Sequence, residues 1–168
     1  MRKIPALLSI HSLAEKLVTL AREKNITFGT AESCTGGMIS ASVTDISGAS
    51  AVFYGGIVSY DNSVKQSLLG VKEETLATVG AVSAQTASQM ATGARAALGV
   101  DFAVSVTGIA GPGGGTPTKP VGLVYISTAS PNGTITIKEN HFDGNREEIR
   151  LQTVETALMM LISAIEQN

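Results

Sequence analysis

The stretch Ile26-Thr27-Phe28-Gly29-Thr30-Ala31-Glu32-Ser33-Cys34-Thr35-Gly36-Gly37 decides the fold of this chain. Its first six residues alternate as a strand does, and residues 38–46 beyond it can form a helix. Ser33 to Gly37 therefore turn the chain between the two. Such a turn brings side chains and unpaired N–H donors together, and donors at a helix start attract negative charge. Three readings fit: a helix start capped by Ser33 or Thr35 with glycines permitting a sharp turn, a phosphate cradle, or a nucleophile beside an oxyanion site.

Working outward, residues 51–60 are rich in β-branched and aromatic types and read as a strand despite a glycine pair, delivering Tyr60 to a polar segment. Asp61 is placed to cap a helix running to Gly70, and Ser83 one over residues 84–98 that Gly99 stops. Residues 101–107 read as a buried strand leading into the irregular loop Gly108-Ile109-Ala110-Gly111-Pro112-Gly113-Gly114-Gly115. Residues 121–128 and 134–141 are predicted to pair as a hairpin through Ser130-Pro131-Asn132-Gly133, and Arg146 opens a closing amphipathic helix. At the front, Leu7, Leu13, Leu17, Leu20 and Ala21 share one face of a first helix. Helices alternating with strands and ending in a hairpin predict an α/β fold, a three-layer α/β/α single domain with a mixed sheet.

A length of 168 residues suits one compact domain, residues 1–168, and 43% hydrophobic residues can fill its core. No repeat or linker interrupts it. A net charge of −2 offers no broad attraction to nucleic acid, which leaves small ligands as the expected partners. The lone cysteine, Cys34, excludes an intrachain disulfide and points to a reducing, cytoplasmic setting. A basic start before a short apolar run superficially suggests a signal peptide, but His11, Glu15 and Lys16 interrupt it too soon. No apolar run approaches the ~20 residues that span a bilayer, so no membrane association is expected.

Tyr60-Asp61-Asn62-Ser63-Val64-Lys65 adds a phenol and an amine five residues apart near a strand end. Lys65 reads first as a solvated helix residue, because burying an ammonium is costly. In a desolvated pocket its pKa falls, and a neutral amine can accept the Ser33 proton during attack on a carbonyl, with Tyr60 orienting the pair or relaying a proton. Cys34 is the rival nucleophile, since a helix start can lower a thiol pKa, and the residues alone leave that choice open. Glu32 has three readings, a structural partner for a backbone donor, an orienter of the site, or a charge that stabilises protonated Lys65, of which the structural one is preferred. No His/Cys/Asp/Glu cluster has metal-ligand spacing, so neither a metal nor another cofactor is expected.

Taken together, the blocks Ala31-Glu32-Ser33-Cys34-Thr35-Gly36-Gly37, Tyr60 to Lys65 with Leu69-Gly70-Val71, and Thr107 to Thr116 make the chain resemble the CinA C-terminal-domain family, along nearly its whole length. Stand-alone members of that family are nicotinamide-mononucleotide deamidases. The resemblance implies Ser33 as nucleophile, Lys65 as its general base, and Tyr60 as an orienting or relay group. It further implies nicotinamide mononucleotide as substrate, with Cys34, Thr35, Gly36, Gly37, Thr107, Gly108 and Arg146 contributing to its binding. A homo-oligomer is implied as well, and the length resembles the family's short form without a further catalytic domain. Asn145 stands where the family's Gly-Asp-Arg block is acidic, and Thr118 where the loop often has Glu, so no role is assigned to either. A noncatalytic nucleotide-binding or competence-linked regulatory module, which needs the loops but not Ser33 and Lys65, is the competing expectation.

Overall fold

In the computed structural model, backbone is described for residues 3–168 and side chains from residue 9 onward. The alternating stretch becomes β1 (Phe28–Glu32), preceded by α1 (Lys3–Glu23) and followed by α2 (Met38–Thr44). The strand begins later than predicted and continues through Glu32, so the turn starts at Ser33. Along α1, Leu17, Val18 and Ala21 are buried, with Leu13 and Leu20 half-buried against the same core. Leu7, expected on that face, lies outside the residues whose side chains are described.

The chain continues through a short 3-10 turn (Ala49–Ala51), β2 (Phe53–Val58), α3 (Asn62–Leu69), α4 (Glu73–Thr78), α5 (Ala84–Leu98), β3 (Phe102–Gly108), β4 (Leu123–Ala129), β5 (Ile135–His141) and α6 (Arg146–Glu166). Asp61 and Ser83 cap α3 and α5 through side-chain oxygens, while Gly70 and Gly99 end them in the left-handed conformation open to glycine. Neither the 3-10 turn nor α4 was predicted, and α4 is the longer of the two. It buries no residue, and so carries no apolar periodicity to read.

The sheet has the order β2-β1-β3-β4-β5. Strand β1 is parallel to both β2 and β3, whereas β3, β4 and β5 are successively antiparallel. Phe28, Phe102, Val104 and Val106 face a core closed by α1, α2 and α6. Ala31 and Ala103 face Leu69 of α3 and Met90 and Ala94 of α5. This is the predicted three-layer arrangement, with alternate residues of each inner strand feeding opposite cores.

Three parallel strands end along one edge. Past β1 the chain turns to α2 on one face, and past β2 to α3 on the other. Ser33, Tyr60 and Thr107 are thereby gathered where open α/β sheets bind ligands, outside the carboxyl ends of strands at a switch point.

Candidate active site

Period-two alternation along β1 separates the two candidate nucleophiles. Thr30 bonds Ser40 of α2 at 2.8 Å, and Glu32 reaches the same helix. Gly29 and Ala31 face the opposite layer, where Gly29 lies against Leu98 and Ala31 against Met90. Carrying the alternation one residue further puts Ser33 on the α3 side and Cys34 in the core beneath α1 and α6. Ser33 Oγ accordingly accepts a hydrogen bond from Lys65 Nζ at 3.1 Å.

Glu32 caps α2 from the neighbouring strand. Its fully buried carboxylate accepts the N–H groups of Gly37 at 3.0 Å, Ile39 at 3.0 Å and Ser40 at 2.8 Å, and the hydroxyls of Thr35 at 2.7 Å and Ser40 at 2.8 Å. This corrects the expectation that Ser33 or Thr35 caps the helix. The N-cap residue is Gly37, whose positive φ of 102° lets the chain turn sharply, and an anion supplies the acceptor for the orphan donors. Among the turn amides, Ser33 N–H bonds Val106 C=O and Gly36 N–H bonds Ser33 C=O. Gly36 and Gly37 therefore do not offer free donors to a ligand, and neither they nor Thr35 line the cavity described below.

Lys65, one turn inside α3, is 1% exposed. Its Nζ also donates to the carbonyls of Ser59 at 2.8 Å and Tyr60 at 3.1 Å. Burial pushes its pKa below the ordinary lysine value, against the opposing charges of Asp61 and Cys34. Carbonyl oxygens only accept, so a neutral Lys65 keeps two N–H bonds on Ser59 and Tyr60 and turns its lone pair toward Ser33 Oγ. Burial has the reverse effect on Cys34, whose thiol is pushed up to about 11 despite the nearby Arg150 and Lys65. The thiol is a poor thiolate source; the hydroxyl has an adjacent base.

A cavity of about 210 Å³ opens above this pair, lined by Ser33, Cys34, Tyr60, Lys65, Thr107, Gly108 and Arg146, with Asn62, Ala81, Val82 and Ala110 completing it. Tyr60 is exposed, and it is its main-chain carbonyl that touches Lys65; its phenol oxygen accepts a bond from Arg146 Nη2 at 3.3 Å. Arg146 Nη1 donates to Gly111 C=O at 2.8 Å, which fixes the guanidinium at the cavity rim beside the glycine loop. Thr107 spends its hydroxyl on Ala81 C=O at 2.7 Å, so it shapes the wall and holds no hydroxyl out to a ligand. At Gly108 a Cβ would meet Val124 at 2.6 Å and Leu123 C=O at 2.8 Å, so only glycine fits.

The profile of the CinA C-terminal domain matches residues 10–165. The chain belongs to the CinA C-terminal domain family. Among the relatives of this CinA domain, a CinA-like protein from Leptospira borgpetersenii is 51% identical over 160 residues, covering 95% of this chain and 38% of that protein. A CinA-like protein from Leptospira interrogans is 52% identical over 153 residues, covering 91% and 37%. The chain thus spans little more than a third of the length of these curated relatives. The crystal structure of the competence/damage inducible protein CihA from Agrobacterium tumefaciens matches with a TM-score of 0.91 at 51% identity, over 93% of this chain and 95% of that one. A CinA superfamily protein from Klebsiella pneumoniae matches with a TM-score of 0.90 at 30% identity, over 95% and 99%.

Within this CinA domain the two departures from the family pattern are locally accommodated. Asn145 caps α6 by accepting Glu148 N–H at 3.0 Å while Glu148 accepts Asn145 N–H at 2.8 Å, so an uncharged oxygen suffices at that helix start. Thr118 sits exposed in the glycine loop. Sequence reasoning passed over Arg150, which donates from Nε to Cys34 C=O at 3.0 Å and from Nη2 to Thr35 C=O at 2.9 Å. Its signal was present: it follows Arg146 by four residues and shares its helix face.

Proposed function

We propose that this CinA domain is a nicotinamide-nucleotide amidohydrolase that converts nicotinamide mononucleotide and water to nicotinic acid mononucleotide and ammonia. The observation that carries this reading is the buried Lys65 amine, anchored by two carbonyls and 3.1 Å from Ser33 Oγ. A solvated or purely structural lysine would not need a hydroxyl as its third neighbour.

In the proposed reaction Ser33 Oγ attacks the carboxamide carbon as its proton passes to Lys65. Main-chain N–H groups of the turn after Ser33 are the candidate donors for the oxyanion, each worth ~3 kcal/mol if well aimed. Lys65 then protonates the leaving nitrogen, the C–N bond breaks, and ammonia departs. Lys65 next takes a proton from water as it attacks the acyl-enzyme and returns that proton to Ser33 Oγ as the ester C–O bond breaks, which releases the acid product and restores Ser33 and neutral Lys65. Tyr60 holds Lys65 through its carbonyl and Arg146 through its phenol. Arg146 offers a cationic fork suited to the substrate phosphate, and Ala81, Val82 and Gly108 furnish a close wall for the nucleotide. The same reading includes a cytoplasmic enzyme that assembles as a homo-oligomer.

The test is incubation of the purified protein with nicotinamide mononucleotide, measuring ammonia and acid product with and without a chelator. Turnover that survives chelation, is abolished in Ser33→Ala and persists in Cys34→Ala is the expected result. Binding of the nucleotide without product would favour the noncatalytic module, and activity retained in Ser33→Ala but lost in folded Cys34→Ala would move the nucleophile.

A further inference from the structure

Ser33 is approached from two sides. Lys65 comes from the α3 layer, and Arg150 from α6 in the opposite layer. Arg150 is half-buried and does not line the cavity, so it cannot serve as a second substrate cation as Arg146 can. What it touches is main chain: two consecutive carbonyls of the turn, gripped by one planar guanidinium.

Peptide planarity gives that grip a consequence. In a trans peptide the carbonyl of one residue and the N–H of the next point in opposite directions. Holding Cys34 C=O on Arg150 directs Thr35 N–H away from α6, and holding Thr35 C=O directs Gly36 N–H away likewise, where it meets Ser33 C=O at 3.1 Å. The Thr35–Gly36 plane is held as well by Met38 N–H on Thr35 C=O at 3.2 Å, whereas the Cys34–Thr35 plane is held by Arg150 alone among the described hydrogen bonds.

We propose that Arg150 is a positioning residue for the nucleophile turn: it sets the Cys34–Thr35 peptide plane so that Ser33 Oγ and the turn N–H groups that follow it are held ready for the reacting oxygen. The role rests on Ser33 being the nucleophile, as in the proposed function, but not on which amide is the substrate. A purely structural Arg150 would change stability and leave the reactivity of folded Ser33 alone.

The experiment uses a fluorophosphonate probe, which forms an Oγ–P bond with an activated serine as the P–F bond breaks, fluoride leaves and the hydroxyl proton passes to the base. Labelling rates of wild type, Arg150→Ala and Arg150→Lys are compared by mass spectrometry of the Ser33 peptide, alongside kcat and KM for nicotinamide mononucleotide. Arg150→Ala is expected to label and turn over about 100-fold more slowly with KM changed little, the loss typical of one misplaced oxyanion donor. Added guanidinium should restore part of the rate in Arg150→Ala, and Arg150→Lys should be intermediate, since an ammonium lacks the fork. Labelling of folded Arg150→Ala at the wild-type rate overturns the proposal; if that variant does not fold, a wild-type rate in Arg150→Lys does the same. Wild-type labelling without nucleotide turnover rejects the substrate reading alone, and the labelling rates still judge Arg150. Absence of Ser33 labelling in the wild type rejects the nucleophile and the positioning role together.

Discussion

Lys65 can act as a base only where its ammonium is disfavoured, and its surroundings do that by burial while two carbonyls keep it in place. If the amine must be neutral, kcat/KM rises with pH through the free-enzyme pKa of Lys65 and levels off below the ordinary lysine value of about 10.4. A profile still climbing at that value would remove the desolvated base. The same shift has a linked effect on stability. The unfolded chain holds the Lys65 proton to higher pH than the folded one, so stability relative to Lys65→Met falls as pH drops from the unfolded pKa to the lowered folded pKa, and is level below it. Cys34 behaves oppositely. With a thiol pKa pushed up to about 11, only about 0.1% is thiolate at pH 8, so alkylation by iodoacetamide should be slower than for a free cysteine. Faster alkylation, followed by mass spectrometry, would restore Cys34 as a rival. Ser33 and Cys34 were ambiguous in sequence because a turn hides where the strand's alternation ends; once β1 extends through Glu32, the parity of the next two residues decides between them.

Each element that builds the site depends on a contact no local pattern reveals. The start of α2 is capped from β1, where Glu32 gathers donors that a motif reading had assigned to Ser33 or Thr35. Glu32→Gln turns an acceptor-only group into one carrying an NH₂ among N–H donors, and should lower the unfolding free energy by about 3 kcal/mol in urea titration. An unchanged midpoint would make the cap dispensable. Helix α3 is held close to α5 because Gly93 lacks a side chain: a Cβ there would run into the Leu69 carbonyl oxygen at the end of α3. Helix propensity favours Gly93→Ala by about 1 kcal/mol, whereas overpacking costs 1–3 kcal/mol, roughly, and the backbone clash leaves no flexible side chain to give way. Packing should win, with a net loss of about 1 kcal/mol and a lower kcat, because α3 carries Lys65. A stabilised, fully active Gly93→Ala would refute that ordering. Caps and stops such as Asp61, Ser83 and Gly99 were legible because each acts within its own helix; the Glu32 cap and the Gly93 crossing join separate elements, and α4 had no buried face to announce it.

At the scale of the molecule, the site is assembled by the sheet's connectivity. Parallel pairing of β1 with β2 and β3 brings Ser33, Tyr60 and Thr107 to one edge, and the β4–β5 hairpin returns the chain so that α6 packs on the face behind the turn. The order of elements could be read from sequence, but the meeting of residues 33, 65, 146 and 150 is long-range and follows only from that topology. All the named groups come from one copy of this chain, although the CinA-like proteins it matches are much longer. The proposed deamidation should therefore be retained by the 168-residue chain alone. Specific activity should stay constant on serial dilution, even as light scattering follows any oligomer apart. A fall in activity that tracks dissociation would mean that a second copy completes the cavity, and kcat would then recover with protein concentration while Ser33 labelling in the dilute chain showed whether the nucleophile itself had been assembled.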